Sequence, residues 1–214
     1  MSRRFSFPAA LLASLALCPG WVSAQAAPAR QAAVLTPQTI AAKATAAVVR
    51  VEALDETGDV TAQGSGFIVA ADGTLVTNYH VVEGSAGLRV HLGSGETYDN
   101  VYYVTADARR DLALLRVPLD GTAYLSLGSD AALTVGDRVY AMGAPMGLEG
   151  TFSDGLVSAK RTLAGVQLLQ ITAPISHGSS GGPILNARGE AVAPGRAGLL
   201  SGGGDALWPR RPPI

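Results

Sequence analysis

The sequence predicts an all-β protein, on three observations. Ten short β-prone runs follow one another between residues 48 and 187, and turn signals rich in glycine and aspartate separate them. The chain has 26 glycines but only 6% aromatic residues, which favours turns between strands over long helices. Hydrophobic residues make up 48% of the 214 residues, enough for a sizeable core. A barrel and a sandwich both suit this pattern, and periodicity alone does not choose between them.

The N-terminal residues predict export. Arg3 and Arg4 precede an apolar run that is short for a bilayer span, and small residues at 22–24 suit a signal peptidase. A signal peptide is therefore predicted over residues 1–24, with an uncleaved membrane anchor as the alternative. The only cysteine, Cys18, lies in this segment, so the mature chain would have no disulfide. The predicted location is periplasmic or secreted, without a membrane contact after cleavage.

Charge and motifs exclude several classes of function. The formal net charge is −1, and loss of the two arginines in the signal peptide leaves 14 basic against 17 acidic residues. This balance gives no basic footprint for nucleic acid and none for an anionic membrane surface. The sequence shows no metal-ligand spacing and no dinucleotide fingerprint, and Gly64-Ser65-Gly66 lacks the lysine and helix of a phosphate site. No cofactor and no metal are predicted.

The regular elements begin with a helix. Behind a flexible lead-in over residues 25–35, a short Ala-rich helix is predicted to about Ala46, with Thr36 as its N-cap and Pro37 at its first position. The predicted strands then cover 48–54, 62–70, 74–78, 88–92, 100–105, 112–117, 137–142, 151–160, 166–173 and 183–187.

The strands are predicted to form two β halves. Residues 122–133 are the poorest strand formers in the middle of the chain, so the join is placed near 119–125. This divides the mature chain into an N-terminal half over 36–120, a C-terminal half over 121–208 and an irregular tail over 209–214.

Three local segments carry candidate chemistry. His80 follows a β-prone run, Asp111 stands at the head of an apolar strand, and Ser180 lies in a glycine-rich bend. A serine hydroxyl is a weak nucleophile until a base removes its proton, and imidazole, which titrates near pH ~6.5, is suited to do so. A carboxylate on the other ring nitrogen fixes the tautomer. The glycines allow a tight turn in which the amides of Gly178 and Ser180 point at a developing oxyanion.

Each of these residues alone has a plainer explanation as a loop, core or turn residue, and the order His, Asp, Ser gives the combination its weight. In α/β-hydrolases the histidine follows the serine, but here the last histidine, His177, precedes Ser180. The subtilisin order would need Asp55, Asp59 or Asp72, none of which lies in a motif.

Other polar residues have plainer assignments. His91 belongs to an alternating run and is predicted to be a surface or cross-strand residue. His177 is predicted to shape the loop that carries Ser180 (the serine loop), since it stands only three positions before Ser180. Asp99 and Asp107 lack the apolar run that follows Asp111 and would hold its carboxylate inside.

Four segments together resemble those of the HtrA/Deg-type trypsin-like serine proteases. They are Gly64–Val69, Thr77–Val82, Asp111–Leu115 and Gly178–Pro183, and the resemblance runs from about Thr36 to Asn186. It implies a chymotrypsin-like fold of two six-stranded antiparallel β-barrels, with His80 and Asp111 from the first barrel and Ser180 from the second. It also implies an exported, ATP-independent serine endopeptidase without a cofactor, which acts on unfolded or damaged polypeptides. Many relatives add a PDZ domain, for which this chain has no room, and homo-oligomerisation stays open.

The C-terminal residues depart from the family pattern. A strand begins at 190–192, but Pro194 lacks the N–H that a central ladder needs, and residues 208–213 are predicted not to form a strand. The second barrel is therefore predicted to be incomplete. This leaves a catalytically impaired module that binds extended peptides as the alternative function, with an esterase as a further one. The segment 173–176 has no acidic residue, so a preference for Lys or Arg is not indicated.

Overall fold

The computed structural model describes residues 33–144, 150–163, 165–175 and 178–195, and the backbone of 206–209. The predicted signal peptide, Cys18 and residues 25–32 of the lead-in lie outside these residues, as do residues 210–214 of the predicted tail.

The described residues form two helices, a short 3-10 helix and thirteen strands. The helices are α1 (Pro37–Ala47) and α2 (Tyr79–Val82), and the 3-10 helix covers Asp130–Ala132. The strands of the N-terminal half are β1 (Val48–Leu54), β2 (Val60–Ile68), β3 (Thr74–Thr77), β4 (Gly87–Leu92), β5 (Thr97–Tyr98), β6 (Tyr102–Asp107) and β7 (Leu112–Arg116). Those of the C-terminal half are β8 (Arg138–Gly143), β9 (Thr151–Leu163), β10 (Val166–Ile171), β11 (Pro183–Asn186), β12 (Ala191–Pro194) and β13 (Ala206–Pro209).

The strands pair into two antiparallel sheets. The first has the order β5-β4-β1-β2-β3-β7-β6, and the second has the order β12-β11-β8-β9-β10-β13. Both curl into half-barrels, which confirms the predicted all-β, chymotrypsin-like fold class. The first sheet has seven strands where six were expected, because the two-residue β5 pairs with β4 as a separate piece. The link between the sheets runs from Val117 to Asp137, and the predicted division at residue 120 lies within it.

Helix α1 begins where the sequence predicts. The hydroxyl of Thr36 accepts a hydrogen bond from the backbone N–H of Thr39 at 3.3 Å, and Pro37 occupies the first turn. Side-chain capping of this kind satisfies an N–H group that has no partner within the helix. The helix therefore starts at a defined residue and leads directly into β1.

Each sheet encloses an apolar core of its own. Val51, Val90 and Leu115 of the first core are completely buried, and so are Leu169 and Ile171 of the second. Burying one such side chain contributes ~1.5–3 kcal/mol. Each half thus has a source of stability that does not depend on the other.

A third cluster joins the two halves. Ile40 and Ala44 of α1 pack with Phe67 of β2 and with Tyr140 and Leu185 of the second sheet. All five side chains are at most 3% exposed. Helix α1 therefore helps to hold the first sheet against the second.

The C-terminal prediction is corrected by strand β13. Residues 208 and 209 do form a strand, in which Pro209 stands opposite Leu168 of β10. β13 is the outermost strand of its sheet, and edge strands are where sheets tolerate proline. Pro194 likewise ends β12, the outermost strand at the other side. The described part of the second sheet therefore has six strands, and the prediction that residues 208 and 209 form no strand is wrong.

Candidate active site

Strand pairing in the first sheet places His80 beside Asp111. β3 and β7 are antiparallel neighbours, with Thr77 opposite Ala113. The chain leaves the end of β3 into α2, which has Asn78 as its N-cap and His80 in its first turn. Asp111 immediately precedes β7. Because β3 and β7 are antiparallel, the start of β7 lies beside the end of β3, where His80 follows. Residues 31 positions apart in sequence thereby become neighbours.

Two hydrogen bonds join His80 to Asp111. His80 Nδ1 lies 2.8 Å from Asp111 Oδ2, and the backbone N–H of His80 donates to Asp111 Oδ1 at 2.9 Å. Asp111 is only 6% exposed, whereas the His80 side chain is 40% exposed. A buried carboxylate thus orients an accessible imidazole, and when Nδ1 carries the shared proton, Nε2 is the basic nitrogen.

Asp111 has an unusual backbone conformation. Its φ of +54° is the only positive value at a non-glycine position among the described residues. Such a conformation typically costs ~1–3 kcal/mol and persists where its surroundings enforce it. The side-chain N–H of Asn78, a fully buried residue, donates to the backbone carbonyl of Asp111 at 2.9 Å. Asn78 therefore helps to hold the strained residue that orients His80.

The competing carboxylates bind arginines. Arg110 donates to Asp107 from its backbone N–H at 3.0 Å and from Nη1 at 2.5 Å, and these bonds lower the pKa of Asp107, the side-chain bond most. Asp99 Oδ1 accepts a hydrogen bond from Nε of Arg89 at 2.5 Å. The structure thus pairs Asp111 with His80 and pairs Asp99 and Asp107 with arginines.

Of the other two histidines, one is described. His91 Nδ1 lies 2.9 Å from the hydroxyl of Thr97, across the β4–β5 pair, which agrees with its predicted cross-strand position. His177 lies outside the described residues.

The serine loop between β10 and β11 turns at glycines in the left-handed region. Gly178 has a φ of +90° and Gly181 a φ of +89°, values that L side chains rarely adopt. A β-carbon on Gly181 would also collide with the carbonyl oxygen of Ser65 and with Oγ1 of Thr77. The loop therefore lies directly against the strands that lead to His80.

Backbone contacts bring Ser180 close to the strand ends that carry His80 and Asp111. The carbonyl of Ser180 accepts a hydrogen bond from the N–H of Ser65 at 2.7 Å. A β-carbon on Gly64 would lie 2.9 Å from that carbonyl oxygen and 2.6 Å from Cγ2 of Val81. Because Val81 follows His80 in α2, the backbone of Ser180 lies within a few ångströms of the helix that carries the histidine.

Part of this arrangement was missed in the sequence. Ser65 and Asn78 stand inside motifs that the resemblance singles out, but neither was given a role. The only sequence signal for Ser65 and Asn78 was that they stand in the same motifs as candidate residues. The residues that they hydrogen-bond lie far away along the chain. The roles of the Gly178 and Ser180 amides stay a prediction.

A small apolar cavity of about 180 Å³ adjoins the serine loop. It is lined by residues that include Met142, Gly143, Pro174, Ile175 and Ser179, and none of its described lining residues is charged. The described residues contain no cluster of His, Cys, Asp and Glu that could hold a metal ion. Over the same residues, no helix has the length and apolar character needed to cross a membrane.

Comparison with known proteins identifies the relatives of this chain. The family model described as the trypsin-like peptidase domain matches residues 64–193. A probable periplasmic serine endoprotease DegP-like of Chlamydia trachomatis is 36% identical over 147 residues, 66% of this chain and 29% of that protein. The mitochondrial serine protease HTRA2 of Bos taurus is 41% identical over 149 residues, 65% of this chain and 32% of that protein. The chain thus spans about a third of these relatives.

A solved structure shows the same fold. The HtrA-type protease AlgW with tripeptide matches with a TM-score of 0.74 at 27% sequence identity. The match covers 82% of this chain and 60% of that one.

Proposed function

The chain belongs to the trypsin-like peptidase domain family and is of the HtrA type, and on this premise we propose that it is a serine endopeptidase with the triad His80, Asp111 and Ser180. The observation that carries the proposal is the 2.8 Å contact between His80 Nδ1 and the buried carboxylate of Asp111. The backbone contacts that bring Ser180 beside α2 support it.

The proposed reaction is acyl transfer. Ser180 Oγ attacks the peptide carbonyl while Nε2 of His80 takes its proton, and His80 then returns the proton to the leaving amine. Asp111 holds the ring in the required tautomer and stabilises the imidazolium. The amides of Gly178 and Ser180 donate to the oxyanion. Water then hydrolyses the acyl-enzyme by the same steps, and no cofactor takes part.

The proposed substrates are unfolded or damaged polypeptides outside the cytoplasm. Relatives named as periplasmic serine endoproteases support export to the periplasm or beyond. The proposal includes no nucleic-acid partner and no membrane contact after signal cleavage, and it leaves homo-oligomerisation to experiment. The alternative of a catalytically impaired peptide-binding module was based on a truncated last strand, and the relatives, which are named as serine proteases, give it no support.

The test combines a fluorophosphonate probe with casein hydrolysis by the full chain. The wild type is expected to be labelled and active, and Ser180→Ala is expected to lose labelling and several orders of magnitude of turnover while remaining folded. Ser94→Ala is the control, because Ser94 is an exposed turn residue that bonds Glu96. An unlabelled wild type would contradict the proposed activity, and residual labelling of Ser180→Ala would point to another nucleophile.

A further inference from the structure

Ser65 occupies a central position between the two sheets. It lies in β2, opposite Arg50 of β1, and it is completely buried. A buried hydroxyl in the middle of a strand needs hydrogen-bond partners, because burying it unpaired is unfavourable. The partners of the Ser65 hydroxyl lie outside its own sheet.

The hydroxyl of Ser65 acts as donor and acceptor at once. It donates to the backbone carbonyl of Gly178 at 2.6 Å and accepts from the backbone N–H of Ala144 at 2.9 Å. Gly178 belongs to the serine loop, and Ala144 directly follows β8. One side chain of the first sheet thus bridges two segments of the second half.

The backbone of Ser65 makes two more bonds at the same place. Its N–H donates to the carbonyl of Ser180 at 2.7 Å, and its carbonyl accepts from the hydroxyl of Thr77 at 2.7 Å. Thr77 ends the strand that leads to His80. Ser65 therefore contacts the serine loop at two points and the strand before the histidine at a third.

These contacts constrain the peptide that carries the Ser180 N–H. The bond to the Gly178 carbonyl fixes the plane of the peptide between Gly178 and Ser179. The bond to the Ser180 carbonyl fixes the plane of the peptide after Ser180. The intervening Ser179–Ser180 peptide is held on both sides, so its N–H group has little freedom to turn. Fixed donors stabilise an oxyanion better than mobile ones, since they need no reorganisation during the reaction.

We propose that Ser65 is a positioning residue for the oxyanion site, and that its hydroxyl keeps the Ser180 amide aimed at the reacting carbonyl. The inference depends on the proposed peptidase function. A hydroxyl is needed because alanine can serve neither the Gly178 carbonyl nor the Ala144 N–H. Ser65 itself touches no substrate in this scheme and acts through the serine loop.

The test separates transition-state stabilisation from general stability. In Ser65→Ala, kcat is expected to fall about 10- to 100-fold with little change in KM, less than the about 100- to 1000-fold loss for a removed oxyanion donor, because the Ser180 amide is misaligned and not removed. Affinity for a peptide boronic acid, which forms a tetrahedral adduct, should fall by the same factor as kcat/KM. Ser65→Thr, which keeps the hydroxyl, should recover most of the activity. If Ser65→Ala does not fold, Ser65→Cys carries the same test, because a thiol of similar size hydrogen-bonds weakly.

The control is a core variant away from the serine loop. Val90→Ala removes apolar volume from β4 and lowers stability, but it should leave kcat and boronate affinity unchanged. An active wild type with unchanged kcat in folded Ser65→Ala would overturn this inference alone. An equal loss of kcat in Val90→Ala would do the same. A wild type that neither turns over casein nor reacts with a fluorophosphonate would overturn the proposed function, and this inference with it.

Discussion

The two halves of the candidate site are held in different ways. In the first sheet, the β3–β7 register brings His80 and Asp111 together at the ends of paired strands. In the second half, Ser180 lies in a loop that bonds its own half, through the Gly181 N–H and the Gly195 carbonyl at 2.6 Å, and that also reaches across to Ser65 of the first sheet. The His–Asp pair therefore depends on pairing within one sheet, whereas the serine depends on bonds within its own half and also on contact between the two halves.

The halves also differ in how they accommodate unusual backbone angles. Asp111 keeps a φ of +54° with a full side chain, and hydrogen bonds from Asn78 and His80 hold it there. The serine loop uses glycines, Gly178 and Gly181, at its own positive φ values. Hydrogen bonds offset the backbone strain at Asp111. In the serine loop, glycine avoids such strain.

The largest expected effect on kcat tests the His80–Asp111 pair, which the first sheet holds. Asp111→Asn should lower kcat by about 10⁴-fold, because the amide lacks the carboxylate's charge and can donate its N–H to Nδ1, which favours the wrong tautomer. Stability should change little, since asparagine tolerates a left-handed φ as well as aspartate does. Steady-state hydrolysis and thermal unfolding of the purified full chain would measure both effects.

A second variant at the same position separates the role of the Asp111 charge from the strain of its backbone conformation. Asp111→Ala should lose activity to a similar extent and also lose about 1 kcal/mol or more of stability, because alanine is strained at this φ. A loss of kcat below tenfold in Asp111→Asn would contradict the role given to the carboxylate.

The second largest effect on kcat tests the docking of the loop that carries Ser180. Gly181→Ala should lower kcat at least about 100-fold, because the added carbon meets Ser65 and Thr77 and pushes the loop away from the first sheet. Gly95→Ala is the control, since Gly95 has a φ of +96° but open space around it. It should lose stability through backbone strain yet keep its kcat. Equal losses of activity in both variants would show that backbone strain, and not loop docking, causes the effect.

The sequence predicts best the elements that are defined locally. In β7 buried and less buried residues alternate, and the predicted 112–117 matches Leu112–Arg116 closely. Helix α1 follows its cap, Thr36. By contrast, β13 was missed because its proline argues against a strand unless the strand is known to lie at an edge, and edge position is a property of the whole sheet.

The candidate site shows the same division. Chain order and residue type were enough to select His80, Asp111 and Ser180 as candidates, because each stands in a recognisable local segment. The bonds of Ser65 were not predictable, since Gly178 lies 113 positions away along the chain. Contacts between the halves need the folded chain, because no local pattern records them.

The smallest expected effect lies in the second sheet, in the turn between β11 and β12. Hydrogen bonds from Arg188, and then from Asn186, lower the pKa of Glu190 below its ordinary value of 4.5. A lowered folded-state pKa stabilises the protein above that ordinary value, and the stabilisation is lost as the pH falls through the folded-state pKa. Glu190→Gln should therefore cost about 0.5 kcal/mol at pH 7 and nothing well below the folded-state pKa.

Thermal unfolding at pH 7, 5 and 3 would follow this loss, with Arg188→Gln and the double variant as controls. Both single variants should lower Tm at pH 7, and the double variant should lower it by less than their sum, because the two residues share one interaction. A Tm difference between wild type and Glu190→Gln that stays constant with pH would assign the effect to packing. Loss of peptidase activity in Glu190→Gln would show that this turn also supports the serine loop, and the dependence of Ser180 would then extend beyond its contacts with the first sheet.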